Sequence, residues 1–547
     1  MTTTIVRERP SATRPDHDRF GNVVRAEWTK FHTVRGWTIG CVISVLLVVL
    51  FTYLVSNGTT QGICTGESPS SMICSNGHPF VPIGPDGEAV ADSFYFVNQP
   101  LTGDGTVTAR VTSLTGEIST NPGNVASSLS NTRDGLADWS KAGILITPST
   151  KQGSAYAAVM VTGSHGVRFQ YDYTHDSAGM PGQVSAMSPR WLRLVRSGET
   201  ITGYDSADGI SWTKIDSVHL SGLPSTVSVG LFVTSPVSFE TSNTNQPALA
   251  TAVPANRGQP TLATATFDQV DIQDPQSPGT WQGTSIGTRS PGPTDFGDFY
   301  PVLSPGNHQR SGNAFVVTGS GDIAPGVVAG EGASTTSDSL RFGLSVGLIA
   351  VIVVAALFIT SEYRRDLIHA TLTATPRRAR MLAAKAIVVG MVSFVTALVA
   401  IVIAVPLSAH LLRANGNYVF PVNTVTELRI VIGAAAVFAL VAIIVLALGT
   451  VLQNSAGAVS LGIVVLVLPY VFVSVVSGSA VEWLLRWTPA AAFAVLEELP
   501  RSAQVSYPYT FGKGYYPLAP WAGLALLCAY AVLSLSLAAL LLRRRDA

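Results

Sequence analysis

Asp205 and Asp208 are the acids whose spacing comes nearest to a catalytic carboxylate pair. Two carboxyl groups about 5 to 10 Å apart flanking a glycosidic bond would support glycoside hydrolysis, and a strand delivers such a pair by placing alternate residues on one face. No strand here carries an E-x-D-x-x-E or comparable set of acids, and Asp208 stands before Gly209, where turn chemistry explains it. Trp139, Trp191 and Trp212 offer ring faces on which a glycan could stack; core or cross-strand packing explains the same residues. His78, His165 and His175 are dispersed without ligand spacing, so no metal site is expected. The chain has no G-x-x-x-x-G-K-[ST], hence no backbone cradle and lysine for nucleotide phosphates, and no cofactor is expected in this chain. Cys64 and Cys74, ten positions apart, are the candidates for a loop-closing disulfide, whereas Cys41 and Cys528 lie in apolar runs and read as packing residues.

The elements that must position these residues follow from composition. Of 547 residues only 12% are charged, against roughly 25% in soluble domains. Lys plus Arg and Asp plus Glu each total 34, so no net field recruits nucleic acid. A hydrocarbon core of about 30 Å needs about 20 helical residues. Six uncharged apolar runs meet that need, at 37–56, 342–360, 386–412, 430–452, 456–477 and 521–542. The first is too long and too far from the start for a secretory signal, and no small-residue cleavage site follows it. Arg and Lys cluster before the first run, between the second and third, and after the sixth, which places those segments and both termini on the cytoplasmic side of the plasma membrane. Residues 57–341 then lie outside, and Cys64 and Cys74 meet an oxidising compartment.

Between the first two runs the chain breaks into short β-branched and aromatic stretches separated by Gly, Asn, Asp, Pro and Ser. Strands are expected at 105–111, 142–147, 155–162, 166–173, 191–196, 200–206, 211–216, 227–234 and 264–272, with Asp208-Gly209 as a primed hairpin turn. Trp191-Leu-Arg-Leu-Val-Arg-Ser-Gly198, Ile201-Thr-Gly-Tyr204 and Ser206-Ala-Asp-Gly-Ile-Ser-Trp212 resemble the concanavalin A-like jelly-roll domains of bacterial surface proteins. Ala142-Gly-Ile-Leu-Ile146, Val229-Gly-Leu-Phe-Val-Thr234 and Ala265-Thr-Phe-Asp268 are similar to the same family, so the resemblance covers about residues 90 to 273. It implies an all-β jelly-roll sandwich; some members of the family bind cell-surface glycans. Pro, Gly, Ser and Thr dominate 275–341, which reads as an irregular stalk.

Before the first run, Val24, Trp28, Phe31 and Val34 fall near one helical face with Arg25, Lys30 and Arg35 largely elsewhere. Such a helix is expected along the inner leaflet, with Phe31 on its apolar face, Trp28 at the headgroup level, and Arg25 and Lys30 meeting anionic membrane lipid. After the second run come Glu362, Tyr363, Arg364, Arg365 and Asp366, then Thr373, Pro376, Arg377 and Arg378, and finally Ala384-Lys385. This order, together with Arg25-Ala-Glu-Trp-Thr-Lys30, resembles the permease subunits of type-two ABC exporters, over about residues 22–57 and 340–547. The resemblance implies that the loop 361–385 couples to a separate nucleotide-binding ATPase subunit, which binds the ATP. It also implies a homodimer or heterodimer of permeases, and short external or re-entrant helices within 481–500. The uncharged runs supply no ion relay of their own, which agrees with a borrowed energy source.

The expected architecture is therefore a membrane α-helical protein with six transmembrane helices and a sandwich inserted between helices 1 and 2. It divides into a cytoplasmic tail 1–36, a first helix 37–56, a sandwich 57–274, a stalk 275–341 and helices 2–6 in 342–547. The expected function is an ATP-driven transport subunit, not itself an enzyme, exporting a hydrophobic or amphipathic substrate. The alternative is a membrane-anchored glycan-binding or sensory protein.

Overall fold

The computed structural model describes residues 20–58, 63–65, 73–75, 82–120, 131–238, 259–273, 280–287, 304–326, 333–364, 378–415, 417–472, 479–499, 501–505 and 516–544. It combines a β-sandwich with a set of apolar helices.

Two antiparallel sheets form the sandwich. The first has strand order β10-β9-β8-β7-β14-β4-β16, built from β4 (Phe94–Thr102), β7 (Lys141–Thr147), β8 (Ala157–Thr162), β9 (Val167–Tyr171), β10 (His175–Ala178), β14 (Thr226–Thr234) and β16 (Gln282–Ile286). The second runs β13-β12-β11-β5-β15-β18-β17 with β6 (Thr132–Asp134) on β5 (Gly105–Ser119). Its other members are β11 (Arg190–Ser197), β12 (Thr200–Ser206), β13 (Thr213–His219), β15 (Thr261–Gln273), β17 (Asn307–Ser311) and β18 (Ala314–Gly319). Strict alternation in β11 turns Leu192 and Leu194 into the space between the sheets, where they meet Val107, Ile144, Val159, Leu231 and Phe267. The seven-stranded sheet is covered on its other face too: Phe94, Phe96, Met160 and Phe232 are buried there beside β3 (Val90–Asp92) and β19 (Ile323–Pro325). This double burial explains why β7 and β8 read as continuous apolar runs. Gly230 is required at mid-strand, because a Cβ there would meet Val97 O at 2.0 Å.

All nine expected strands form. The expected stalk does not: β16, β17, β18 and β19 all fall within 275–341, and the first three extend the two sheets. Asp208-Gly209 does not form a two-residue turn either. β12 ends at Ser206 and β13 starts at Thr213, and the intervening loop is tied by Asp208 Oδ1, which accepts from Ile210 N (2.8 Å) and Ser211 N (2.7 Å).

Five helices are long and apolar enough to cross a membrane: α2 (Arg35–Gly58), α3 (Thr336–Arg364), α4 (Arg378–Ala414), α5 (Thr424–Leu452) and α9 (Pro520–Arg544). The run at 456–477 does not fold as one uninterrupted span. It forms α6 (Ser455–Leu466) and then α7 (Leu468–Phe472), because Pro469 has no N–H to continue the ladder and its ring crowds the preceding turn. The segment 481–500 forms α8 (Ser479–Trp487) followed by a 3-10 helix, Pro489–Leu496. Small residues let α2 and α3 approach closely: Ser44 Oγ donates to Gly347 O (2.9 Å), and a Cβ on Gly343 would meet Val48 O at 2.6 Å.

Sandwich and helices meet at a hydrogen-bonded seam. β20 (Ala333–Ser334), just before α3, pairs in parallel with β21 (Tyr418–Val419) between α4 and α5, and Tyr418 Oη donates to Gly87 O (2.7 Å). Ala89 and Phe420 are buried there together, with Leu499 packed against them.

Candidate functional site

A group of buried charges lies at the end of the bundle remote from this seam. α3 starts at Thr336 next to β20, so Glu362 lies about 39 Å along the helix at 1.5 Å per residue. Here α1 (Phe20–Thr33) crosses the ends of α3 and α4. Lys385 Nζ donates to Glu27 Oε2 of α1 and to Glu362 Oε1 of α3, both at 2.6 Å. Lys30 Nζ reaches the same Glu362 Oε1. Glu27, Glu362 and Lys385 are buried and Lys30 is half-buried; this partial desolvation, with the nearby Lys385 charge, pushes the Lys30 ammonium below its ordinary range. Two acids and two bases leave the group neutral, which is what makes burial tolerable.

The sequence positions these groups by helical spacing. Val24, Glu27 and Phe31 recur at i, i+3 and i+7 and turn inward, where Phe31 meets Trp37 (5.7 Å) and Phe358 (5.4 Å). Trp37 and Phe358 are edge-to-face at 5.0 Å, and the Lys385 ammonium stands 5.0 Å from the Phe358 ring. The expected lipid-facing stripe is therefore rotated. Phe31 and Lys30 contact protein, and the exposed stripe of α1 consists of Arg25, Trp28 and His32. Glu27 was missed by sequence reasoning; the signal was one acid sharing a face with Val24 and Phe31.

The expected coupling residues divide. Glu362 is buried in the ion group instead of being presented on a surface loop, a correction that follows from its place two residues inside the end of α3. Tyr363 is half-buried beside it, and Arg364 and Arg378 end α3 and begin α4. Arg365, Asp366, Thr373, Pro376 and Arg377 lie outside the described residues. The bridge from Glu362 to Lys385 nonetheless ties together the two helices that the connection joins. Lys385 stands one residue before the third uncharged run and on the same helix.

The remaining expected residues do not converge on one site. Trp139 is buried and stacked on His165 (4.0 Å) before β7. Trp191 and Trp212 are half-buried on the eight-stranded sheet, with the Arg110 guanidinium 5.5 Å from the first ring and Arg193 3.7 Å from the second. Asp205 is buried and accepts from Met180 N, and Asp208 is held down to about 2 by backbone N–H groups of Ser211 and Ile210, so the two acids do structural work on the hairpin. The strands β1 (Ile63–Thr65) and β2 (Ile73–Ser75) pair with Cys64 directly opposite Cys74. No group of three or more metal-ligating side chains occurs among the described residues.

Two further buried acids flank the seam. Asp92 accepts from Gly153 N (2.8 Å) and Tyr173 Oη (2.9 Å), and burial raises it to about 6. Glu498 caps the start of α3, accepting from Ser337 N (2.7 Å), Ser337 Oγ (2.6 Å), Thr336 N (3.2 Å) and Thr336 Oγ1, and burial raises it as well.

No family model matches the chain, and no curated protein matches it. Among solved structures it is similar to a functionally unknown protein from Saccharomyces cerevisiae, at 14% identity over 40% of this chain and 98% of that one, with a TM-score of 0.21. Scytalido-glutamic peptidase bound to a transition-state analogue inhibitor is similar at 9% identity over 42% of this chain and 98% of that one, with a TM-score of 0.24. A second structure of that peptidase, with a peptide-based analogue, gives 9%, the same coverages and a TM-score of 0.23. Likenesses this weak carry no argument about activity.

Proposed function

We propose that this chain is the membrane-spanning permease subunit of an ATP-driven transporter of the type-two ABC exporter kind. In this reading α6 and α7 together make a broken fifth crossing of six, both termini are cytoplasmic, and a jelly-roll sandwich stands outside between the first two crossings. One observation carries the proposal: α1 is clamped to α3 and α4 by the buried Glu27–Lys385–Glu362–Lys30 group, at the base of the connection 365–377. A force applied by a partner to that connection reaches three helices together. The phrases around Glu362 to Arg378 and Arg25 to Lys30 support a nucleotide-binding ATPase subunit as that partner, paired with a second permease. The cargo is hydrophobic or amphipathic.

Tagged full-length chain is expected to co-purify with a subunit bearing a phosphate-binding loop, and charge reversal at Arg377 and Arg378 is expected to release it. Absence of any such subunit, with no ATP-dependent flux in vesicles, overturns the reading. The alternative of a glycan-binding surface protein has less support, because Arg110 and Arg193 lie over the rings that a sugar would need.

A further inference from the structure

Between α1, α2 and α4, beside the ion group, lies a notch of about 170 Å³ lined by Trp28, Phe31, His32, Thr38, Cys41 and Val392. We infer that it is a binding site for one anionic phospholipid, which inserts a length of acyl chain into the notch and sets its phosphate against the cationic rim. The inference rests on the membrane-spanning helices and is independent of the transport reading.

The walls are almost wholly apolar, and the volume slightly exceeds the roughly 150 Å³ of an engineered apolar cavity that takes up benzene, so it holds a segment of chain and not a whole lipid. Its flanks decide what can reach it. α2 exposes Ile39, Val42 and Leu46, and α4 exposes Ile387, Met391 and Val395. Both belong to helices long and apolar enough to span a bilayer, so these faces meet acyl chains.

The rim decides which lipid. Arg25, Trp28 and His32 share the exposed stripe of α1 at i, i+3 and i+7, and Arg35 opens α2 three residues further on. Glu27 and Glu362 are turned away and already matched by Lys385 and Lys30. No described carboxylate pairs with Arg25 or Arg35. The rim thus keeps two positive charges outside the neutral buried group, next to an indole of the kind that favours the headgroup level. An anionic phosphodiester satisfies the charge while its chain fills the notch, which a zwitterionic lipid does less well.

The test is native mass spectrometry of the full-length chain in detergent, titrated with phosphatidylglycerol and with phosphatidylcholine of the same chain lengths. The first phosphatidylglycerol is expected to bind at least fivefold more tightly than phosphatidylcholine, about the factor that a single basic residue contributes near an anionic headgroup. Cys41→Phe, which fills the notch, is expected to remove this first site for both lipids. Arg25→Gln with Arg35→Gln leaves the buried group untouched and is expected to keep a bound lipid while abolishing the preference. Undiminished phosphatidylglycerol binding by the filled variant overturns the inference. So does a preference that survives loss of both arginines, which alone decides the matter if Cys41→Phe does not fold. Loss of a second copy of the chain, in place of lipid, on filling the notch would also overturn it.

Discussion

Replacing Lys385 with Met removes the one cation that touches both Glu27 and Glu362. Lys30 remains with Glu362, so Glu27 is left as a buried carboxylate with no salt-bridged cation and only the more distant charge of Lys30, and the group passes from neutral to one net negative charge. Side-chain exposure decides the magnitude: Lys385 is 0% and Glu27 6% exposed, so this is a buried pair and not a screened surface one. Removing one partner of a buried pair costs about 3–5 kcal/mol, chiefly through the stranded charge. The double variant Glu27→Gln with Lys385→Met restores neutrality through Lys30 and Glu362 and is expected to lose only about 1–2 kcal/mol, because apolar replacement of a whole buried pair is often nearly neutral. The coupling between the sites is then about 1–4 kcal/mol from the Lys385→Met difference alone, and any cost of Glu27→Gln by itself adds to it. Denaturant unfolding of the four proteins in micelles measures it. A Lys385→Met cost below about 1 kcal/mol, or single costs that simply add in the double variant, refutes the reasoning.

Asp92 makes stability depend on pH. Its folded value of about 6 stands above the unfolded value near 3.8, so the folded state holds the proton more tightly. The stability from neutral Asp92 is complete below about pH 4 and is lost as pH rises through 6; Asp92→Asn is expected to gain in melting temperature over the parent from pH 4 to 7, and an unchanging difference refutes this. Glu498→Ala removes the cap of α3 and is expected to cost about 2 kcal/mol, with Glu498→Gln recovering part of it, measured by the same unfolding assay. Opposed residues of an antiparallel pair have Cα atoms about 4.5–5.5 Å apart, inside the disulfide range, so mass spectrometry without reductant is expected to find Cys64 joined to Cys74 and Cys41 and Cys528 alkylatable. Alkylation of Cys64 and Cys74 without reductant refutes it.

Burial of one sheet face or both made most of the sandwich legible, but not β4 or β18, which bury a face as well and were not expected as strands. Burial alternates strictly in β11, with Leu192 and Leu194 on the inner side, and β7 is apolar from Ala142 to Ile146; both patterns survive in the sequence because each records a buried sheet face. β16 and β17 left no such record. They are the outermost strands of their sheets and mostly exposed, so Gln282–Ile286 and Asn307–Ser311 need few apolar residues and pass for loop composition. Five helices were legible as uncharged runs, and the sixth run concealed its break because hydropathy ignores the missing N–H of Pro469. The ion group was legible only in pieces. Glu27 and Lys385 are 358 positions apart, and nothing local to either announces the other. The stretch 361–385 looked uniformly surface-like because charge near the end of an apolar run ordinarily marks the water boundary; Glu362 and Lys385 instead neutralise each other beneath α1.

The seam at β20, β21 and Tyr418 has a mechanical consequence. Because it stitches the start of α3 to the turn between α4 and α5 and then to the Gly87 backbone, the sandwich is no pendant on a slack tether. An antibody fragment gripping the sandwich would act as a brake on those helices, and a helix displaced from below would tilt the sandwich like a needle on a dial.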